Sequence, residues 1–449
     1  MVHFKIAVAG FLSAIVLVSP GGVQAQLRLT LPESIQIALR KSKVLTIAQE
    51  RFKEAEAKRK EVRAGFLPQI SNSSTYTRLD IVPYMSLSKF PFSMPGIPSR
   101  IPMGDRDIYS VATSVQQPLF TGFKLLTNYK IVQYFAEAER SSLQKTEAEV
   151  IFNVENAYWG VVKAQQFQAV SEQAVRQMEA HVKDLENMYQ VGMVAQNDLL
   201  RAKVQLSNTK LMRIKATNAV QMAKTAFCNT LGIALNTDIG LDAQLEHKQM
   251  LEIPLERAIQ TALRERPELK GMHYNVKAAQ KAVSLFSRSR WLPDLMLIGN
   301  YNYKKPNREN EKKWYDSWDV TLALQMNIWD WGSTYYQTSQ AKHRLRQVEE
   351  GFKQLKDGIV LEATQSYLAL QEAAQKVTVT QENIVQAQEN YRVTEERFKQ
   401  GMATNTEMLD ANTLLTQAKM DHIQALADYN IAQAKLEKAM GILDPELED

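Results

Sequence analysis

The chain carries one pattern twice, so its fold must be assembled from two similar halves. Near the start, "ESIQIALRKSKVLTIAQERFKEAEAKRKEVRAGFLPQI" is a helical pattern that stops at Pro68, and much later "ERAIQTALRERPELKGMHYNVKAAQKAVSLFSRSRWLPDLML" is another that stops at Pro293. Proline ends a helix because it has no backbone donor and crowds the preceding turn, and an extended segment follows each one. Further on, "VATSVQQPLFTG" is answered by "VTLALQMNIWDWG", "YQVGMVAQNDLLRA" by "FKQGMATNTEMLDA" and "NTLGI" by "KAMGI". Over this last stretch the copies stay 209 residues apart, as Gly192 does from Gly401.

Periodicity assigns the elements. The first copy, 26–240, is expected to hold an opening helix 33–64, strands 69–80 and 107–117, a long helix 123–189 and a return helix 197–231. The second, 241–449, is expected to hold an opening helix 255–290, strands 294–304 and 315–328, a long helix 333–398 and a return helix 406–440. The fold class is therefore mainly α with a small β part.

The long helices keep a seven-residue phase. Ala363, Leu370, Val377, Ile384, Tyr391 and Phe398 recur at that interval, and the return helix places Ala411, Ala418, Ala425, Ala432 and Ala439 likewise. The first copy repeats the phase with Val154, Val161, Gln168, Val175, Val182 and Tyr189, Gln168 being the polar exception. Sustained heptads mean supercoiled helix pairs, here coiled-coil hairpins with small side chains at the seam. Each long helix spans about 67 residues, or about 100 Å. Each return helix is about half as long, so a return helix and an opening helix laid end to end would match it. Such a rod suits crossing a gap better than enclosing an active site.

Residues 315–328 alternate instead with a period of two. Trp318, Val320, Leu322, Leu324, Met326 and Ile328 share one side, and Ser317, Asp319, Thr321, Ala323, Gln325 and Asn327 the other. That is a strand with one apolar and one wet face. The apolar side is about eleven residues long, enough for a tilted strand to cross a bilayer. Trp314 and Tyr315 at one end, with Trp329 and Trp331 at the other, fit interfacial girdles. A half-buried soluble sheet would alternate in the same way. Strand 69–80 alternates poorly. Four strands cannot close a barrel, and an open edge in hydrocarbon leaves backbone groups unpaired at several kcal/mol each. Protomers must then pool strands, and a ring of three would supply twelve.

The first residues read as an export signal. Lys5 precedes an apolar run from Ile6 to Val18, and Val23-Gln24-Ala25 forms a small-residue cleavage pattern, giving a signal peptide over 1–25. The run is shorter than the roughly 20 residues of an uncleaved anchor. Loss of Lys5 lowers the net charge from +5 to +4, with both signs interspersed, which does not suit nucleic-acid binding. Cys228 is the lone cysteine, so no disulfide framework exists. No glycine-rich phosphate loop, G-x-S-x-G or H-E-x-x-H occurs and the six histidines are scattered, which leaves no catalytic, cofactor-binding or metal-binding candidates.

With "QPLFTGFK" and "MNIWDWGS" at the strand-to-helix junctions, and the paired tip sequences above, the whole mature chain resembles the TolC-like outer-membrane efflux proteins. The resemblance implies a homotrimer in the outer membrane of a Gram-negative bacterium, its strands forming one transmembrane β-barrel and its helices a hollow periplasmic tunnel. It implies an exit duct that conducts cargo passively from an inner-membrane pump through a periplasmic adaptor, the membrane fusion protein. The cargo of such ducts is drugs, metals or polypeptides, and outer-membrane lipid surrounds the barrel. A periplasmic coiled-coil scaffold or adaptor without a barrel is the alternative. A single-chain porin fails on strand number.

Gly192 and Gly401 mark the hairpin tips. A left-handed helix cap accounts for both; the resemblance adds that adaptors dock nearby. Thr404, Asn405, Thr406 and Glu407 spell a capping box. Glu407 and Asp410 lie three apart on one helical face, and by resemblance they join an acidic ring at the periplasmic aperture, with Asp198 at the first tip. Cap and ring both remain readings of Glu407. Phe398 and Ala403 stand where the family's best-known pattern has gate-forming tyrosine and arginine, so that lock does not carry over; Asp198 with Arg201 is the candidate substitute. Residues 82–105, rich in Pro, Met and Ser, read as a surface loop outside the cell.

Overall fold

The computed structural model describes residues 27–86, 100–241, 243, 245, 253–289, 291–307 and 311–443. The expected signal peptide at 1–25 and the centre of the 82–105 insert lie outside these residues. In chain order the elements are β1 (Leu27–Leu29), α1 (Leu31–Lys41), α2 (Lys43–Ala64), β2 (Gln69–Arg78), β3 (Tyr84–Ser86), β4 (Arg100–Pro102), β5 (Asp107–Thr121), α3 (Lys124–Gln190) and α4 (Gln196–Leu231). Then come β6 (Ile239–Leu241), α5 (Leu255–Glu265), α6 (Pro267–Ser289), β7 (Asp294–Lys305), β8 (Tyr315–Gln325), α7 (Ser333–Lys399) and α8 (Asn405–Met440).

Three expectations need correction. Neither opening helix is continuous. The first breaks at Ser42, which is extended (ψ 121°) and whose hydroxyl accepts from the Leu45 amide, so a new helix starts there. The second breaks at Arg266, also extended (ψ 121°), because proline at 267 disfavours helical geometry in the residue before it. The strand expected to run to residue 328 stops at Gln325. Its partner β7 starts at Asp294, directly after Pro293, and the Asp294–Gln325 pair leaves Met326 and Ile328 beyond the ladder. Strand β5, conversely, runs past residue 117 through a bulge between Pro118 and Phe120, where proline has no N–H to offer. The remaining ends differ by one or two residues, within the fraying of any helix or strand.

Helices α3 and α7 each have 67 residues, and α4 and α8 each have 36. The heptad positions are the core. Ala363, Leu370, Val377 and Phe398 are buried on α7, and Ala411, Ala418, Ala425 and Ala439 on α8. Val154, Val161, Val175 and Val182 are buried on α3, while Tyr189 near its end is exposed.

The short helices do stack end to end. Helix α4 ends at Gly232, which lies against Lys41 where α2 is about to begin, and α8 ends at Gly441, which lies against Arg266 just before α6. A layer four helices wide results. Toward the strands its order is α2, α3, α6, α7, and toward the tips it is α4, α3, α8, α7. Between these levels an apolar cluster joins α1, α3, α4, β6 and α8 through Ile35, Val154, Val161, Phe227, Ile239 and Ile423.

Candidate functional site

Strands β2, β5, β7 and β8 form one antiparallel sheet in that order. Register decides its two faces. Ser71, Ser114, Asn300 and Asp319 lie in one row across it, and the Asn300 amide donates to the Asp319 carboxylate at 2.8 Å. Further rows of that face carry Ser73, Ser110, Gln116, Asn302 and Thr321, side chains that favour water. The opposite face carries Val111, Val115, Leu295, Leu297, Tyr301 and the apolar residues of β8. No described residue covers it: Trp318 is 74% exposed, Val320 and Leu322 63%, Leu324 68%. Met326 and Ile328 continue it outside the ladder, also exposed. Strand β2 contributes little to it because Asn72 and Ser74 interrupt the face, and Asn72 instead donates to Thr113 at 2.9 Å.

Aromatic rings bound this face at both ends. At one, Tyr303 stacks on Trp314 with centroids 4.7 Å apart, Trp314 also meets Tyr109, and Tyr109 meets Tyr76 at 4.9 Å. At the other, Trp291, Trp329 and Trp331 are exposed where strands give way to helices. There both junctions use two consecutive left-handed residues, Gly122-Phe123 and Trp331-Gly332. An aromatic residue at φ 54° or 62° is costly. Each turn spends one such position to aim a ring outward.

Among the described residues each margin of the sheet is open, since β2 pairs only with β5 and β8 only with β7. The helical layer ends in the same sense, with α2 and α4 at one side and α7 at the other.

At the tips, Gly192 (φ 78°) and Gly401 (φ 72°) close α3 and α7. The amides of Met193 and Met402 reach back to the carbonyls of Met188 and Arg397, completing the left-handed cap. A side chain at either glycine would meet open space. Glu407 is exposed and closes the capping box: its carboxylate accepts from the Thr404 amide at 2.6 Å and the Thr404 hydroxyl at 2.9 Å, while its own amide donates to that hydroxyl. Those bonds hold its carboxyl below the ordinary glutamate range. Asp410 is exposed one turn further on. Asp198 sits in the first turn of α4, and its carbonyl accepts from the Asn405 amide at 3.0 Å, so the starts of α4 and α8 are adjacent. Within one chain Asp198 and Arg201 form no ion pair with each other.

The contact at this place that periodicity did not single out is His181. Its Nε2 lies 2.9 Å from the Asn405 Oδ1, and its ring is 5.1 Å from that of Phe398. The signal available was the polar series Asn405, Asn412 and Lys419, seven residues apart on the return helix. Among the described residues no group of His, Cys, Asp and Glu is arranged to hold a metal ion, and no helix is long and apolar enough to cross a membrane.

The family described as Outer membrane efflux protein matches residues 34–232 and 258–442. The alkaline protease secretion protein AprF of Pseudomonas aeruginosa is 25% identical over 76% of this chain and 71% of its own length. The probable efflux pump outer membrane protein TtgC of Pseudomonas putida is 21% identical over 92% of this chain and 82% of its own. Among solved structures, the CmeC outer membrane channel of Campylobacter jejuni superposes with a TM-score of 0.78 at 17% identity, covering 93% of this chain and 87% of that one. At that identity the likeness is one of fold.

Proposed function

Because the chain belongs to the outer membrane efflux protein family, we infer that it is the outer-membrane exit duct of a tripartite efflux or secretion system. The observation that carries this reading is the pair of matching open margins on a sheet whose apolar face is uncovered. An open strand edge in hydrocarbon forfeits several kcal/mol per backbone group, so β2 of one chain must meet β8 of the next. Head-to-tail contacts of this kind close into a ring. Three chains give a twelve-stranded barrel, the two tandem copies of the pattern supplying two strands each.

The helical margins support the same closure. Val204 and Leu211 on α4, and Val393 and Val385 at matching distances from the tip on α7, are exposed apolar residues, as a side-by-side contact between neighbouring chains requires. Closing the layer would turn rods of about 100 Å into the wall of a periplasmic tunnel. The polar rows of the sheet then line the barrel, while Trp318, Val320, Leu322 and Leu324 face lipid.

The capped tips at Gly192 and Gly401 are the place for a periplasmic adaptor and, through it, an inner-membrane pump. Glu407, Asp410 and Asp198 would collect around the three-fold axis as an acidic aperture favouring cations, as acidic rings do in channels. One relative is named for protease secretion and another for an efflux pump, and a passive duct suits either kind of cargo.

A periplasmic scaffold, the rival reading, has no use for an uncovered apolar face bounded by aromatic rings. Washing membranes with carbonate or urea separates the two: a barrel stays in the outer-membrane fraction and runs as a trimer before heating, whereas recovery in the wash would refute the duct.

A further inference from the structure

The two hairpins, α3 with α4 and α7 with α8, meet along a seam between α3 and α8. Toward the strands this seam is apolar, with Ile423 and Ala427 of α8 in one cluster with Val161 and Val162 of α3. Toward the tips its character changes. Lys419 donates to Gln173 at 3.1 Å, Asn412 is buried with its Oδ1 lacking a hydrogen-bond partner, and Asn405 accepts from His181 while donating to the Asp198 carbonyl. The seams within each hairpin stay apolar to the same level, through Leu185 against Leu199 and Ala202, and Ala387 against Leu415 and Ala418. Each hairpin is thus firm within itself, and toward the tips these polar bonds stand beside one small apolar cluster in connecting it to its neighbour.

His181 is the member of that connection whose ordinary pKa, 6.5, lies near neutrality. It is 8% exposed, and its neighbours in chain and space, Val182, Leu185, Phe398 and Met408, form an apolar cluster drawn from both hairpins. A cleft of about 530 Å³ between α3 and α7 reaches the imidazole. The charged and titratable groups in that cleft are Asp184 from α3 and Tyr391, Glu395 and Lys399 from α7. Glu395 is engaged by Lys399 at 3.0 Å, which offsets its charge. From α8 come Asn405 and Met408, neither ionisable, and from α4 the Asp198 carbonyl at one remove.

We propose that His181 is a proton-responsive latch between the hairpins: the neutral ring holds Asn405, and through it the start of α4, while the imidazolium destabilises the closed seam and lets the tips part. The reason is desolvation, since a cation in an apolar cluster loses hydration that one hydrogen bond to an amide does not replace. Burial pushes His181 below its ordinary value of 6.5 even with Asp184 and Glu395 nearby. The sign follows from linkage. A base whose value is depressed in the closed seam stabilises closure above its ordinary value, and that stabilisation declines as pH falls below 6.5 toward the depressed value. The consequence for transport rests on the duct reading, but the test does not, because it reads a distance within the protein.

Spin labels on cysteines at Val191 and Met402, both exposed tip positions, report that distance in the full-length protein in lipid nanodiscs. Cys228 is fully buried and does not compete for label. Between pH 8 and pH 5 the distance distribution is expected to shift outward. His181→Gln, which keeps a hydrogen-bonding group but cannot titrate in this range, should hold one distribution throughout. Asn405→Asp should reverse the response, since a carboxylate favours the imidazolium. An unshifted wild-type protein, an equal shift in His181→Gln, or an Asn405→Asp variant that follows the wild type would each overturn the latch.

Discussion

Gly441 lies directly against Arg266: a Cβ at Gly441 would stand 2.9 Å from the Arg266 amide nitrogen, and the glycine itself has φ 74°. Gly232 repeats the arrangement in the other half, at φ 70° with Lys41 O 2.6 Å from where its Cβ would be. These are the joints where a return helix butts onto an opening helix, so backbone approach sets the geometry of the layer. The tip glycines share the left-handed conformation but face open space. Gly441→Ala and Gly232→Ala should therefore lower the thermal midpoint of the assembled protein well beyond Gly192→Ala and Gly401→Ala. The latter carry mainly the left-handed penalty of about 1–2 kcal/mol. Asparagine at the tips should recover much of that loss, because it tolerates this conformation; equal losses at all four sites would contradict the assignment.

Arg266 also fastens the joint through its side chain. The guanidinium, 8% exposed, makes two bonds to Glu268, donates to Glu362 at 2.8 Å and reaches the Ala439 carbonyl. Arg266→Ala leaves Glu268 half of an unmatched pair in a partly buried place, at about 3 kcal/mol, the low end of the range because Glu268 and Glu362 are both partly open to water. Denaturant melts should show the loss, with Glu362→Gln costing much less.

Neighbouring residues of β8 offer a sharp contrast. Leu322→Arg puts a charge on the uncovered apolar face, where the bilayer midplane exacts about 2–4 kcal/mol. Thr321→Arg puts the same charge on the polar face. Only the first is expected to deplete heat-modifiable trimer from outer membranes, and comparable depletion by both would argue against a lipid-facing β8.

At the aperture, Glu407 serves the cap and the proposed ring at once, and glutamine separates the two. Gln completes a capping box without charge, so Glu407→Gln should preserve thermal stability while lowering cation preference in planar-bilayer recordings. Asp410→Asn should lower that preference too, because Asp410 has no part in the cap. Reversal potentials unchanged in both variants would remove the ring.

Acid should bear on Glu407 late. Its hydrogen bonds from Thr404 hold the carboxyl below the ordinary value of 4.5, so charge and cap are present above that value and are lost only as pH falls through the depressed one. Titrating the reversal potential should show the Glu407 share of cation preference, the part removed by glutamine, persisting at pH 4.5.

Much of the molecule was legible in the sequence because its periodicities are local. Seven-residue spacing placed Val377, Phe398 and Ala418 in seams, and two-residue spacing put Trp318 to Leu324 on one face, with no knowledge of any partner. The breaks at Ser42 and Arg266 were not read, although a capping serine and Pro267 marked them, because the unbroken apolar rhythm of the opening helices argued for continuity. The end of β8 was not legible. Met326 and Ile328 keep the alternation, but a strand ends where its partner does, and that limit is set by Pro293, more than thirty residues away. Which helix lies beside which, and the approach of His181 to an asparagine 224 residues along the chain, were likewise decided by packing alone. A repeat fixes what each segment presents; only the folded layer, by choosing neighbours for those surfaces, brings distant polar groups within a hydrogen bond.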